Sequence, residues 1–210
     1  VLQDLNNHIL NDLISLLSGV KRPAGGIMLV SGQPFTPSRR RKIAVIQQQP
    51  AQTMVFPELS YMDNLCFTLD HRFKNIWRRR APRRSIRREF APLLGDAVFD
   101  MPCDSLSQAQ KYDLVYTRVL LQRPGLAVCV QPFMGADVER RMQVWTLVER
   151  LLEKGVAVLI LAVNLADSLS LADRLVRVRD GRVQETYERE EFVSLPPSAP
   201  WHDFWASAPK

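Results

Sequence analysis

Leu126-Ala-Val-Cys-Val130 and Val156-Ala-Val-Leu-Ile-Leu161, joined through a stretch that begins at Asp137, decide the fold class. Both are short apolar runs without polar alternation, the pattern of strands buried on both faces. Between them Val138, Trp145, Val148 and Leu152 recur as one helical stripe, with Asp137 placed to cap its start and Gly155 to stop it. Strand, helix and strand at these lengths predict a crossover connection and a parallel sheet.

The same reading extends outward. Downstream, a short helix is predicted from about Leu165 to Ala172. Leu175 to Arg179 and Val183 to Thr186 then flank Asp180-Gly181, a strong hairpin signal. Upstream, Ser107 to Leu121 reads as a helix ending before Pro124, and Lys42 to Ile46 as a strand ending at Gln47-Gln-Gln-Pro50. Gly26 to Val30 reads as a strand running into a turn at Ser31-Gly32. At the start, Leu2, Leu5, Ile9, Leu13, Leu16 and Leu17 recur at helical spacing, predicting one amphipathic helix that stops at Gly19. From about Leu59 to Leu94 the pattern is helical, broken by Pro82 and Pro92, as expected of an inserted helical subdomain. The tail, with Pro196-Pro197, Trp201 and Trp205, reads as irregular.

With 210 residues, 46% apolar and 24% charged, the chain is long enough for one cored domain and unlike a disordered or fibrous one. Its net charge of +6 is local. Arg72, Lys74, Arg78, Arg79, Arg80, Arg83, Arg84, Arg87 and Arg88 form an acid-free run, which leaves 19 basic against 22 acidic residues elsewhere. Such a run, with Phe73 and Trp77 interleaved, suits a solvated face, nucleic-acid phosphates or anionic lipid headgroups. The apolar run Val156 to Val163 is far short of the roughly 20 residues that cross a bilayer. No signal-peptide layout is present. Cys66, Cys103 and Cys129 are odd in number and lack metal-ligand spacing, so ordinary thiols in a reducing cytoplasm are expected and no metal site. His8, His71 and His202 are scattered and form no hydrolytic triad pattern. Because the chain begins at Val1 rather than Met, it is expected to be an excised domain or to have lost its start.

Taken in order, these pieces resemble the ATP-binding cassette of ABC transporters over nearly the whole chain. Lys21-Arg-Pro-Ala-Gly-Gly-Ile-Met-Leu-Val-Ser-Gly32 is similar to the family's RP-x-x-G-x-I strand pair, and Gln47 lies where the Q-loop glutamine belongs. Pro57-Glu-Leu-Ser-Tyr-Met-Asp-Asn-Leu65 resembles the P-x-L-S-V-x-x-N-L start of the helical subdomain. Ser105-Leu-Ser-Gln-Ala-Gln110 stands at the LSGGQ signature, and Arg118 matches the arginine of the helix after it. Gln131-Pro132 and Gly135-Ala-Asp137 fall at the spacing of DEP and the D-loop, and Asp173-Arg174 with Asp180-Gly181 match the family's ending. Gly135-Ala-Asp-Val138 and Asn11-Asp12 further resemble the second cassette of sugar and nucleoside importer ATPases. The resemblance implies an α/β, P-loop NTPase-like fold: a mostly parallel sheet with flanking helices over residues 1–188. A helical subdomain is expected at about 58–122, and an irregular tail at 189–210.

The chemistry expected at these positions is missing. A P-loop needs glycines to wrap phosphate, a lysine for its charge and a hydroxyl for Mg²⁺. The equivalent stretch, Asp4-Leu-Asn-Asn-His-Ile-Leu-Asn11, has no glycine, Leu10 for lysine and Asn11 for the hydroxyl, with Asp4 adding negative charge. It is expected to lie in an ordinary amphipathic helix, with His8 a surface or capping residue. Walker B needs an aspartate for Mg²⁺ and a carboxylate for the attacking water, and this chain has Val130 and Gln131. The switch histidine maps onto Val163. Gln108 and Ala109 replace the signature glycines, so only Gln47, Ser107, Gln110 and Asp137 remain in register, each also explicable as a cap or a surface residue.

The expectation is therefore a pseudo-ATPase with no catalytic residues, no metal site, and weak or absent ATP and Mg²⁺ binding. The resemblance implies a structural role: pairing with another cassette, as homodimer, heterodimer or tandem, and docking to a membrane permease. That places the chain peripherally, on the cytoplasmic face. The alternative is a nucleic-acid-binding or regulatory module built on Arg72–Arg88, and weak ATPase activity within a heterodimer is a further reading.

Overall fold

A computed structural model describes residues 1–5, 9–30, 32–36, 42–67, 80–165 and 167–195. In chain order the strands are β1 (Leu2–Asp4), β2 (Leu29–Val30), β3 (Gln33–Pro34), β4 (Ile43–Ile46), β5 (Leu126–Val130), β6 (Ala157–Ala162), β7 (Arg174–Arg179) and β8 (Arg182–Glu188). The α-helices are α1 (Leu10–Leu17), α2 (Pro50–Thr53), α3 (Tyr61–Cys66), α4 (Arg80–Leu94), α5 (Gln108–Gln122) and α6 (Val138–Glu153). Six strands form one sheet in the order β4-β5-β6-β1-β7-β8, parallel except for β8, while β2 and β3 pair antiparallel on their own. This is the α/β architecture expected, and β5, α6 and β6 form the strand-helix-strand unit.

The apolar runs are buried on both faces because the sheet is covered on both sides. Ala44, Ile46, Ala127, Cys129, Ile160 and Ala162 meet α5 and α6 through Val115, Val119, Leu147 and Leu151. The alternate residues Ile43, Val128, Val130 and Leu161 meet α1 through Leu10. The period of two along each strand sorts neighbouring residues into the two layers. Asp180 and Gly181, with φ of 51° and 73°, turn β7 into β8 as a two-residue hairpin loop requires.

Several local expectations change. Leu2–Asp4 is a strand rather than the first turn of a helix, pairing with β6 at Leu2↔Leu161 and with β7 at Leu2↔Val176. A three-residue strand is too short to display a period, so the spacing of Leu2, Leu5 and Ile9 runs across a strand, a turn and the approach to α1. Pro82 does not break α4 but lies in its first turn, where no intrahelical N–H bond is lost, and Pro92 lies in its last. On α6 the buried stripe is Val144, Leu147, Val148 and Leu151, whereas Val138 and Leu152 are 77% and 39% exposed. The helix predicted after β6 is a single 3-10 turn at Leu169–Leu171. Of the tail, Arg189–Ser194 is another such turn, and the proline- and tryptophan-bearing residues 196–210 lie outside the described residues.

Between β4 and β5 the described chain is helical apart from the isolated bridge Ser60↔Pro102. It has its own core of Tyr61, Leu65, Ile86, Phe99, Cys103 and Leu114. Since Leu114 lies on α5, which also covers the sheet, that helix ties the insert to the rest. Asn64, fully buried, holds the connection from the sheet: its Oδ1 accepts the Phe56 N–H at 2.9 Å and its Nδ2 donates to the Phe56 carbonyl at 2.9 Å. Among the described residues no helix is long and apolar enough to cross a membrane.

Asn64→Ala leaves the Phe56 backbone groups unpaired beneath the insert, so urea unfolding should register a loss of about 2–3 kcal/mol. The three cysteines are free and buried, and burial pushes the Cys103 thiol up to about 11 and Cys129 up to about 12. A thiol-reactive reagent at pH 8 should therefore titrate none of them in the native protein and all three after denaturation.

Candidate functional site

In an open α/β sheet, ligands approach the C-terminal ends of the parallel strands. Here that edge gathers the positions singled out in the sequence. Gln47 follows β4, Gln131 follows β5, Val163 follows β6, and Asp4 ends β1. Backbone pairing sets the alignment: Val130 is opposite Leu161, Leu161 is opposite Leu2, and Gln131 N–H donates to the Leu161 carbonyl at 2.8 Å.

Of the stretch Asp4–Asn11, expected within one amphipathic helix, Asp4 ends β1, Leu5 follows in a turn, and α1 starts only at Leu10. Asn6, Asn7 and His8 lie outside the described residues, and with them the role expected of His8. Asp4 is fully buried, and Ile9 N–H donates to its Oδ2 at 2.8 Å. Leu10, at the lysine position, is 3% exposed and shares one apolar cluster with Val128, Val130 and Leu161. The valine at the Walker B aspartate position thus belongs to the same packed layer as the leucine at the lysine position. Asn11 is exposed.

Gln131 stands at the end of β5 with φ of 44°, a left-handed conformation costing on the order of 1 kcal/mol. Beside it a cleft of about 320 Å³ is walled by Phe133, Met134, Arg141, Val163 and Asp167. The cation there is committed: Arg141 lies 3.5 Å from Asp167 and donates through Nε to the Ala136 carbonyl at 2.9 Å. A second recess, also about 320 Å³, lies between Gln49, Gln108, Tyr112, Asp137 and Arg140. Arg140 covers the Tyr112 ring at 4.8 Å from its centroid.

The remaining register residues serve the helices. Gln110 N–H donates to Ser107 Oγ at 3.2 Å and Ser107 N–H donates to Gln110 Oε1 at 2.9 Å, a reciprocal capping box at the start of α5. Asp137 Oδ1 accepts the Arg140 N–H at 2.7 Å and caps α6. Gln47 is exposed, its N–H facing the Met54 sulfur at 3.2 Å. Arg118 is buried and donates to the Met54 carbonyl at 2.5 Å, joining α5 to the segment after β4. Among the described residues no cluster of His, Cys, Asp and Glu could hold a metal.

The basic run is acid-free in sequence but not in space. Arg83 pairs with Asp63 at 2.6 Å, and the Ser60 hydroxyl together with Arg83 holds the Asp63 carboxyl below its ordinary range. Arg87 pairs with Asp100 and Asp96 and lies 5.4 Å over the Phe99 ring. Arg84 and Arg88 are exposed on α4, and Arg80 begins it. Arg72, Lys74, Arg78 and Arg79 lie outside the described residues, with Phe73 and Trp77.

One polar chain escaped the sequence reading. Gln3, nearly fully buried, donates from Nε2 to the Val163 carbonyl at 3.0 Å and accepts from Arg177 Nε at 3.1 Å; Arg177 then meets Glu185 at 2.9 Å. It connects the switch position to β8 across β1 and β7. The helical reading of residues 2–17 hid it, because Gln3 has this neighbourhood only as a strand residue.

Restoring the lysine alone works against the packing. Leu10→Lys would put an ammonium among Val128, Val130 and Leu161, so it should lower stability by about 3 kcal/mol or more without creating nucleotide affinity. Chemical denaturation and calorimetry of the variant check the two parts.

No family model matches the chain. Among curated proteins it is 28% identical over 190 residues to the ribose import ATP-binding protein RbsA 2 of Rubrobacter xylanophilus, spanning 86% of this chain and 36% of that protein. It is 28% identical to the aliphatic sulfonates import ATP-binding protein SsuB of Pseudomonas fluorescens, spanning 81% of this chain and 59% of that protein. The chain thus spans about a third of the first of these relatives and somewhat less than two thirds of the second. Among solved structures, the ATP-binding cassette MJ1267 superimposes with a TM-score of 0.76 at 17% identity, over 99% of this chain and 87% of that one. CbiO1 of Clostridium perfringens, part of an ABC transporter complex, gives 0.73 at 20% identity, over 92% and 78%. The sequence matches, the parallel sheet with its helical insert, and the superpositions give this chain the fold of the ATP-binding cassettes of ABC transporters and a sequence similar to those of importer ATP-binding proteins.

Proposed function

We propose that this chain is a catalytically degenerate cassette that acts structurally, pairing with a competent cassette or filling the second position of a tandem ATPase beneath a membrane permease. The observation that carries the reading is the contact between the end of β1 and the start of α1. Where a triphosphate would be wrapped, Asp4 takes the Ile9 N–H, and Leu10 is buried in place of a lysine. Phosphoryl transfer relies on positioning and charge stabilisation, and each missing group typically reduces rate by orders of magnitude. Val130 and Gln131 offer no carboxylate for Mg²⁺ or for an attacking water, and Val163 offers no hydrogen bond to a γ-phosphate. These residues do not fit Mg·ATP.

The relatives named for ribose import and, in Pseudomonas fluorescens, for xylose import support an importer of the sugar type, while the one named for sulfonate import supports only an importer. The D-loop residues Gly135-Ala-Asp-Val138 and the pair Asn11-Asp12 point the same way. Spanning 36% of the ribose import protein is the share one cassette of a two-cassette chain would take. Such a subunit would sit at the cytoplasmic face of the membrane, bound through its permease. The nucleic-acid alternative draws less support, because two of the described arginines of the basic run already meet carboxylates.

Calorimetry with Mg·ATP should register no binding to the isolated chain, and micromolar affinity would overturn the reading. In a complex with a competent cassette, mutating that partner's catalytic glutamate should abolish all turnover. Residual hydrolysis would mean that this chain contributes an active site.

A further inference from the structure

We propose that the helical insert is locked to the sheet as one rigid body by a two-point clamp, Arg118 and Asn64, on the connection Met54–Phe56, so that this connection carries no hinge. The inference is independent of the degenerate reading above, because it concerns how the two cores are joined rather than what the sheet edge binds. Ala51 of α2 belongs to the sheet's core, Tyr61 and Leu65 of α3 belong to the insert's, and Val55 packs against both. A hinge between two packed bodies takes up its φ/ψ change in a few residues of this kind. Such residues turn only if their backbone groups are free to change partners.

Here three of those groups are held by buried side chains. Arg118, 4% exposed, donates through Nη2 to the Met54 carbonyl at 2.5 Å. Asn64, fully buried, accepts the Phe56 N–H and donates to the Phe56 carbonyl, both at 2.9 Å. The two grips come from different helices. Asn64 sits on α3 inside the insert, where its Nδ2 also meets the Leu59 and Ser60 carbonyls at 3.3 and 3.2 Å. Arg118 sits on α5, which packs Val115 and Val119 into the sheet's core and sets Leu114 and Leu121 against the insert's. One end of the connection is thus held from the sheet's covering helix and the other from within the insert. The Gln47 N–H also faces Met54 Sδ at 3.2 Å, which ties the same residue back to the end of β4. Turning the connection would strip several buried groups of their partners at once, and at low local dielectric that is strongly unfavourable.

Electron paramagnetic resonance distances test the clamp in the full chain. The native thiols are buried, so spin labels go on Arg88→Cys in α4 and Lys154→Cys just beyond α6, both exposed positions. This pair should give one narrow distance distribution. Arg118→Met keeps an apolar stem and removes the donor, so it should at least double the width of the distribution. Arg118→Lys, which can still donate to the Met54 carbonyl, should restore most of the narrowness. A control pair within the sheet body, Lys154→Cys with Arg182→Cys, should stay narrow throughout. A broad or two-peaked distribution with Arg118 in place overturns the proposal, as does a folded Arg118→Met protein that stays narrow. Broadening of the control pair overturns it too, since the variant would then loosen packing as a whole rather than release one connection. Unmutated protein supplies a check that needs no variant to fold. In native-state hydrogen exchange the Phe56 amide should be protected to within about tenfold of the Val128 amide in β5, and faster exchange than that, by local opening, overturns the clamp.

Discussion

Three residues, Leu2 to Asp4, are paired along both edges, to β6 at Leu2↔Leu161 and to β7 at Leu2↔Val176. Without that insertion β6 and β7 would not be joined and the six-stranded sheet would divide into β4-β5-β6 and the β7-β8 hairpin. The insertion also orients its own side chains. These alternate across a strand, so Gln3 faces the layer it shares with Arg177, and Asp4 is delivered, buried, to the start of α1.

At that edge of the sheet the side chains are packed rather than open: Leu10 and Val130 meet Val128 and Leu161 in one apolar layer beneath α1. Ser107, Gln110 and Asp137, the polar residues still in register, satisfy helix N-termini that would otherwise leave N–H groups unpaired. These three polar residues are thus accounted for by local helix capping. The helical insert keeps a packed core of its own, and α5 shares side chains between that core and the sheet.

The basic run shows how sequence distance misleads about charge. Nine cations without an intervening acid look like one free patch. Folding brings Asp63 to Arg83 and Asp96 with Asp100 to Arg87, from helices and turns on either side of α4. Exposed pairs of this kind contribute little stability, but they do remove cations from what the surface can offer a polyanion. Arg84 and Arg88 keep the solvent-facing side of the helix basic.

By itself the sequence determined the fold class and most elements, because buried strands and capped helices write their periodicity and punctuation locally: β5 spans the predicted residues, α5 begins one residue after the predicted Ser107, which caps it, and the Asp180-Gly181 hairpin is where it was expected. It also determined which side chains stand at each position, since a valine or leucine cannot hold a metal or a phosphate wherever it lies. Only the tertiary structure decided that Leu2–Asp4 is a strand, because three residues carry no period and their state depends on partners more than 150 positions away. The same long-range pairing decided that Asp4 faces Ile9 and that Gln3 joins Val163 to β8, while half-buried Trp145 packs at the margin of the cluster that α6 buries. Local pattern records what a residue can do; contacts between segments distant in sequence settle what it meets.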